Sequence, residues 1–154
     1  MRLGGRNAIV TGGAAGLGLA IAHAFTCEGG SVALLDVDGA MAEASAADLA
    51  STGARAIGIA ADVADRDAVD AAVSRARSEL GSLDILVNNA AIAGFGRVDN
   101  ASVDEWDRIL AVNLTGTFLV SRAVVPVMLE QGRGAIINLG SIAGLVGEIG
   151  RAHV

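Results

Sequence analysis

The sequence predicts an α/β fold, a doubly wound parallel sheet in which five strands alternate with helices. Short apolar runs alternate with longer segments of helical periodicity along the chain, which is typical of repeated β-α units. The short runs are apolar throughout rather than alternating with polar residues, as expected of strands that are covered on both faces. Right-handed crossovers between such strands give the order 3-2-1-4-5.

The predicted strands are Asn7–Val10, Val32–Leu35, Ala56–Ala60, Ile85–Val87 and Ala135–Leu139. Each of the first three helices has an apolar stripe that we expect to face the sheet. In the first two helices these stripes are Leu17, Ile21, Ala24 and Phe25, then Met41, Ala44 and Leu49. In the third helix the stripe is Val69, Ala72, Val73, Ala76 and Leu80. Ser102 and Glu105 form a capping box that begins a long helix, which continues to Gln131.

Composition limits the function classes. The 154 residues are the length of one domain, and the formal net charge of −6 without a basic cluster disfavours a nucleic-acid partner. A single cysteine, Cys27, and two histidines exclude an intramolecular disulfide and disfavour a metal site. Asn113, Arg122 and Pro126 interrupt the longest apolar region, Ile109–Leu129, which argues against a membrane span. With no visible secretory signal, we expect a soluble cytoplasmic protein.

The run from Thr11 to Gly18 is rich in glycine and lies between a predicted strand and a predicted helix. Gly12, Gly16 and Gly18 follow the spacing T-G-x-x-x-G-x-G. Glycines let the backbone approach a pyrophosphate, and the helix N-terminus offers free N–H groups. The run therefore favours a dinucleotide site, and a purely structural turn is the alternative.

Asp36 ends the second predicted strand, eighteen residues after Gly18. A carboxylate at this distance can accept hydrogen bonds from the adenosine ribose, and it repels a 2′-phosphate. No arginine follows closely, which favours NAD over NADP as the cofactor. The alternative is that Asp36 or Asp38 caps the next helix. Asp38 is better placed for a cap, which leaves Asp36 for the ribose.

Polar residues also follow the third and fourth predicted strands. Asp62, followed by Val63, could meet the adenine amino group, or it could serve a turn or a helix cap. The segment 88–91 reads Asn-Asn-Ala-Ala. Its amides can satisfy backbone groups of neighbouring strands, and its small alanines leave room for a flat ring. An Asn-rich turn is the alternative interpretation.

Asn113 and Ser141 are the candidate catalytic residues. Asn113 lies inside an apolar helix and is either a structural amide or part of a proton relay. Ser141 follows the fifth predicted strand, where its hydroxyl could polarise a substrate carbonyl or simply belong to a turn. Leu139 and Ala143 occupy the glycine positions of a G-x-S-x-G elbow, so a hydrolase triad is rejected.

In their order and spacing, these residues resemble the short-chain dehydrogenase/reductase family over residues 3 to 148. The resemblance implies a Rossmann fold and hydride transfer between a nicotinamide dinucleotide and a secondary alcohol or ketone. It implies that Ser141 hydrogen-bonds the substrate oxygen and that Asn113 holds a water in a proton relay. It implies further that Asn88 supports the central strand. The implied cofactor-binding residues are Gly12, Gly16, Leu17, Gly18, Asp36, Asp62, Val63, Asn89, Ala90 and Ala91.

The sequence departs from the family pattern in two places. Ala91 replaces the glycine of the usual Asn-Asn-Ala-Gly, which is a small change. The family's general acid/base is a Tyr in a Tyr-x-x-x-Lys motif, and this sequence contains neither Tyr nor Lys. By family spacing the Tyr would fall at Val154. We therefore expect residues 1–148 to be an incomplete dinucleotide-binding domain that ends after the fifth strand, from a longer parent enzyme.

The last six residues, 149–154, read Ile-Gly-Arg-Ala-His-Val, as the start of a common sequencing adapter would encode. We expect them to be adapter read-through.

The parent is expected to be a homodimer or homotetramer that acts on a small-molecule alcohol or ketone, since the long helix forms subunit interfaces in the family. Phe95, Ile142 and Val146 could line its substrate pocket. The alternative function is a non-catalytic dinucleotide-binding module, and a third possibility is that the exposed Ile136 and Ile137 prevent the chain from folding alone.

Overall fold

The computed structural model describes residues 1–94 and 99–142. Within them lie the strands β1 Asn7–Thr11, β2 Ser31–Asp36, β3 Ala56–Ala60, β4 Ile85–Asn88 and β5 Ala135–Asn138. All pair in parallel in one sheet of order β3-β2-β1-β4-β5. The predicted fold class and strand order are therefore confirmed, with strand ends within a residue of the predicted ones.

The helices are α1 Gly16–Cys27, α2 Gly39–Ser51, α3 Arg66–Leu80, α4 Val103–Leu110 and α5 Thr117–Gln131. The predicted cap of α4 is confirmed, because the Ser102 hydroxyl accepts a hydrogen bond from the Glu105 N–H at 3.0 Å. The sequence predicts one long helix from Ser102 to Gln131, whereas in the structure this helix is interrupted. A π-helical turn, Ala111–Gly116, joins α4 to α5, and such turns occur mostly as short interruptions near functional sites.

Two hydrophobic clusters lie on opposite faces of the sheet. Ile9 of β1 packs into a cluster with buried residues of α3 and α5. Ala8 and Val10, which point the other way, pack with buried residues of α1 and α2. This alternation along one strand shows that helices cover both faces, which is the doubly wound arrangement.

The predicted buried faces are right for α3 and wrong in part for α1 and α2. All five predicted residues of α3 are buried. In α1, Leu17 and Ala24 are exposed and Gly18 and Ala22 are buried instead. In α2, Met41 and Ala44 are exposed, whereas Ala42, Ala46 and Leu49 are buried.

The buried faces of these helices differ from the predicted ones because the helix and strand backbones approach each other closely. A Cβ on Gly58 of β3 would lie 2.4 Å from the carbonyl carbon of Ala42, so α2 runs almost in contact with the sheet. At this point of contact only a small side chain such as that of Ala42 fits, and the neighbouring Met41 is exposed to solvent. Hydrophobicity alone predicts the opposite choice, because it ranks Met and Leu above Ala and Gly.

Asp84 ties together the amino edge of the sheet. Its side chain is 3% exposed and pairs with Arg6 at 3.0 Å and with Arg133 at 2.6 Å. It also accepts hydrogen bonds from the Asn7 N–H and the Ser82 hydroxyl. Burial opposes ionisation of this carboxyl, but the hydrogen bonds from Arg133, Ser82, Asn7 and Arg6 together lower its pKa to about 2.

Apolar side chains remain exposed on β5 and on the long helix. Ile136 and Ile137 are 39% and 45% exposed. Leu114, Phe118 and Leu129 are exposed on the π-helical turn and α5. The helical stretch Val103–Gln131 is long and apolar enough to cross a membrane by length and composition alone. A core helix of a soluble protein passes the same test, and Val120 and Val124 of this stretch are buried against the sheet side.

Candidate functional site

The carboxyl ends of the strands meet at one edge of the sheet, where the glycine-rich turn follows β1. Gly12 has a φ of 60°, in the left-handed region. A Cβ on Gly18 would lie 2.1 Å from the Gly12 carbonyl oxygen, so the first turn of α1 rests directly on the loop. Only glycine at both positions permits this compact turn.

The N-terminus of α1 opens at the same edge. Its N-cap residue is Ala15, and no side chain from the described residues caps it. The free N–H groups of a first helical turn, together with the helix dipole, favour an anion. Leu17 lies in this turn and is 60% exposed, a position open to a ligand.

Asn89 supports the glycine-rich turn from below. Its side-chain amide donates to the carbonyls of Thr11 and Gly12, at 2.9 and 3.1 Å. The Thr11 hydroxyl in turn accepts from the N–H groups of Asn89 and Ala90, both at 3.0 Å. Asn88 reaches sideways to Asn138 of β5 at 2.8 Å and to Ser121 at 3.0 Å. The two amides therefore lock the ends of β1, β4 and β5 together.

Asp36 connects the end of β2 to the glycine-rich turn. One carboxylate oxygen accepts from the Ala14 N–H and the other from the Asp38 N–H, both at 3.1 Å. Asp38 is the cap of α2, as predicted, since it accepts from the Met41 N–H at 2.9 Å. Asp36 is therefore not a cap, but neither is it without partners. A carboxylate has about four acceptor positions, so two remain for ligand hydroxyls.

Asp62 lies at the end of β3 and is held by two donors. Its Oδ1 accepts from the Ala64 N–H at 2.9 Å, which is a turn role, and its Oδ2 accepts from Arg108 at 3.1 Å. These donors, the Ala64 N–H foremost, hold the pKa of the Asp62 carboxyl below its usual value against a smaller opposing effect of burial. The cap of α3 is Asp65 rather than Asp62.

One cleft brings together six of the predicted cofactor residues. Its volume is about 190 Å³, which is smaller than the roughly 300–1,000 Å³ of a whole ligand pocket. The six are Gly12, Asp36, Asp62, Val63, Ala90 and Ala91. Arg108 and Val112, which the sequence analysis missed, line the same cleft. Arg108 is far from Asp62 in sequence, and no motif marks it.

The remaining predicted residues lie outside that cleft. Gly16, Leu17 and Gly18 belong to the start of α1, and Asn89 lies beneath the turn. Asn113 lies in the π-helical turn, where its amide exchanges two 2.9 Å hydrogen bonds with the backbone of Ile92. This contact fixes the loop after β4 against the helix.

Ser141 follows β5 at the carboxyl edge and is exposed. Ile142, a candidate for the substrate pocket, is 71% exposed. Phe95, Val146 and residues 149–154 lie outside the described residues. Among residues 1–94 and 99–142, no group of three His, Cys, Asp or Glu side chains is arranged to hold a metal ion.

Comparison with known proteins gives a consistent result. A family model described as short chain dehydrogenase matches residues 6–153. The chain is 55% identical over 138 residues to 2-(S)-hydroxypropyl-CoM dehydrogenase 3 of Xanthobacter autotrophicus, covering 90% of the chain and 54% of that protein. It is 54% identical to the inactive 2-(S)-hydroxypropyl-CoM dehydrogenase 2 of the same organism, over 82% of the chain and 54% of the relative.

A third relative is 2-dehydro-3-deoxy-L-rhamnonate dehydrogenase (NAD(+)) of a Sphingomonas species. It is 44% identical over 95% of the chain and 57% of its own length. The chain thus spans about half the length of the curated relatives it matches.

Proposed function

Because the chain belongs to the short chain dehydrogenase family, we propose that it is the cofactor-binding part of an NAD-dependent oxidoreductase. The whole protein would transfer hydride between a secondary alcohol and a ketone. The observation that carries the proposal is the cleft that Gly12, Asp36 and Asp62 line together. A relative named for NAD(+) supports the choice of cofactor.

The residues of the site fit such a cofactor. The compact turn at Gly12 and Gly18, with the uncapped start of α1, suits a pyrophosphate. The remaining acceptor positions of Asp36 suit the two hydroxyls of an adenosine ribose, and its charge opposes a 2′-phosphate. When bound, the nicotinamide supplies the hydride donor or acceptor. In this proposal the hydroxyl of Ser141 donates to the substrate oxygen, and Asn113 helps to carry the proton relay.

The exposed helix side chains Leu114, Phe118 and Leu129 support a homodimer or homotetramer of the whole protein. The net charge of −6 gives no support to a nucleic-acid partner. We propose the cytoplasm as the location, with no role for a membrane. The substrate is a small-molecule alcohol or ketone.

The test is calorimetric titration of the chain with NAD+ and NADP+. We expect NAD+ to bind more tightly than NADP+. The variant Asp36→Ala should lower the affinity for NAD+ by roughly tenfold or more, because it loses charge-assisted hydrogen bonds to the ribose. Asp48→Asn, an exposed carboxylate of α2, is the control and should change neither affinity. Equal or tighter binding of NADP+ would refute the choice of NAD, and binding of neither would refute the dinucleotide site.

A non-catalytic dinucleotide-binding module is the second candidate. The observation that favours it is a relative, 54% identical to this chain, that is named as inactive. Loss of general acid–base catalysis typically costs roughly 10²–10⁴-fold in rate. We therefore expect this chain to bind NAD+ without efficient turnover of a panel of secondary alcohols. Turnover at an ordinary dehydrogenase rate would exclude the second candidate.

A further inference from the structure

Among the residues that the structure describes, Arg108 is the one cation that lines the cleft, and it contacts the end of β3. Its Nη2 donates to Oδ2 of Asp62 at 3.1 Å, so it joins helix α4 to the strand end. Val112, one helical turn later, is buried and lines the same cleft. Residues four apart share one helix face, so the first part of the long helix presents Arg108 and Val112 together to the cleft.

Asp62 needs this second contact in order to point in one direction. The torsion that turns a carboxylate plane is broad and lacks sharp rotamers. The Ala64 N–H holds only Oδ1, at 2.9 Å. With Arg108 on Oδ2, both oxygens are held and the plane of the carboxylate is set. Each oxygen keeps one further acceptor position, and those positions then have defined directions.

We propose that Arg108 is a positioning residue for recognition of the adenine base, because it orients Asp62 toward the exocyclic amino group of the base. This inference rests on the proposed dinucleotide site. A carboxylate oxygen discriminates adenine, which offers an amino donor there, from hypoxanthine, which offers a carbonyl acceptor. An oriented carboxylate discriminates more strongly than one that can rotate away from the base.

The alternative role of Arg108 is an ordinary surface ion pair. Its side chain is 52% exposed and that of Asp62 is 33% exposed, and exposed pairs contribute little to folding. Arg77 offers a matched control. It pairs with Glu130 at 2.7 Å, is 46% exposed, and joins α3 to α5 without lining the cleft. A structural role would affect both arginine variants in the same manner.

The experiment measures the affinities of the chain for NAD+ and for nicotinamide hypoxanthine dinucleotide by calorimetry. In the wild-type chain NAD+ should bind more tightly than the hypoxanthine analogue. Arg108→Ala should weaken NAD+ by about fivefold, as expected for one polar contact. It should leave the analogue almost unchanged, so that the discrimination ratio falls. Arg108→Lys, which keeps a cation, should restore part of the ratio, and Arg77→Ala should keep all of it.

A double variant tests whether Arg108 acts through Asp62. If it does, Asp62→Ala together with Arg108→Ala should discriminate no less than Asp62→Ala alone. Circular dichroism of each variant checks that it is folded. An unchanged ratio in Arg108→Ala, or equal weakening of both dinucleotides, overturns the proposal for Arg108 while the proposed function stands. If the wild-type chain binds neither dinucleotide, the proposed function fails and this inference fails with it.

Discussion

Asp84 gives the structure a stability that depends on acidity in a calculable manner. Its pKa is lowered from 3.8 to about 2 in the folded chain, where two arginines, a backbone N–H and a serine hydroxyl surround it. The unfolded chain binds a proton at this carboxyl at higher pH than the folded chain does. The contribution of Asp84 is therefore complete above the unfolded pKa and is lost as the pH falls toward about 2.

The shift corresponds to about 2 kcal/mol of unfolding free energy. The assay is urea denaturation followed by circular dichroism, at a series of pH values from neutral to strongly acid, for wild type and Asp84→Asn. The wild type should be more stable at neutral pH, and the difference should shrink by about 2 kcal/mol as the pH falls through the range from 3.8 to about 2.

The control for this experiment is Glu130→Gln, which removes an exposed carboxylate paired with a single arginine. It should lower stability by less than about 1 kcal/mol at neutral pH. Parallel pH profiles of wild type and Asp84→Asn would refute the reasoning, because they would mean that Asp84 does not titrate differently in the two states.

Three further predictions concern the glycine-rich turn and strand β5. Gly18→Ala should lower the unfolding free energy by roughly 1–3 kcal/mol and weaken NAD+, because its Cβ would collide with the Gly12 carbonyl. Gly4→Ala, which meets nothing within 4 Å, should do neither in the same denaturation and titration, and equal effects would contradict the steric argument. Ser45→Ala should weaken NAD+ several-fold in calorimetry, because the Ser45 hydroxyl holds the Ala14 carbonyl of the turn at 2.7 Å. Ser51→Ala, which loses a similar hydrogen bond to the Asp48 carbonyl, should leave the affinity for NAD+ unchanged. An equal loss of affinity in the two variants would contradict a role of Ser45 in the turn. Ile137→Lys should raise the monomer fraction in size-exclusion chromatography by blocking edge pairing; unchanged association would mean that another surface drives it.

The sequence predicted those parts of the fold that depend on pattern and on local capping. Helix α3 has an Asp65 cap and a clean apolar stripe, and its buried face was predicted correctly. The faces of α1 and α2 were predicted wrongly where small residues pack closely, as at Ala42 against Gly58. Close packing depends on the distance between two backbones, which no property of a single helix reveals.

Some residues of the candidate site could likewise be predicted from the sequence, and others could not. Asp36, Asp62 and the glycines follow strand ends, so their meeting at one edge could be predicted from the parallel topology. Arg108 could not be predicted, because it reaches the cleft only through the path of α4 across the sheet edge. The π-helical turn at Asn113 was missed for another reason: one extra residue in a turn leaves the helical pattern of a short apolar segment almost unchanged.

The strand order β3-β2-β1-β4-β5 also has a consequence for synthesis on the ribosome. Strand β2 pairs with β1, β3 joins the outer side of β2, and β4 and β5 then extend the opposite side of β1. Every strand is thus added to an edge that is already free, and none must be inserted between two strands that have paired. The sheet can grow in the order of translation without any earlier pairing being undone, so a nascent chain of three strands already holds the partners that its finished form retains.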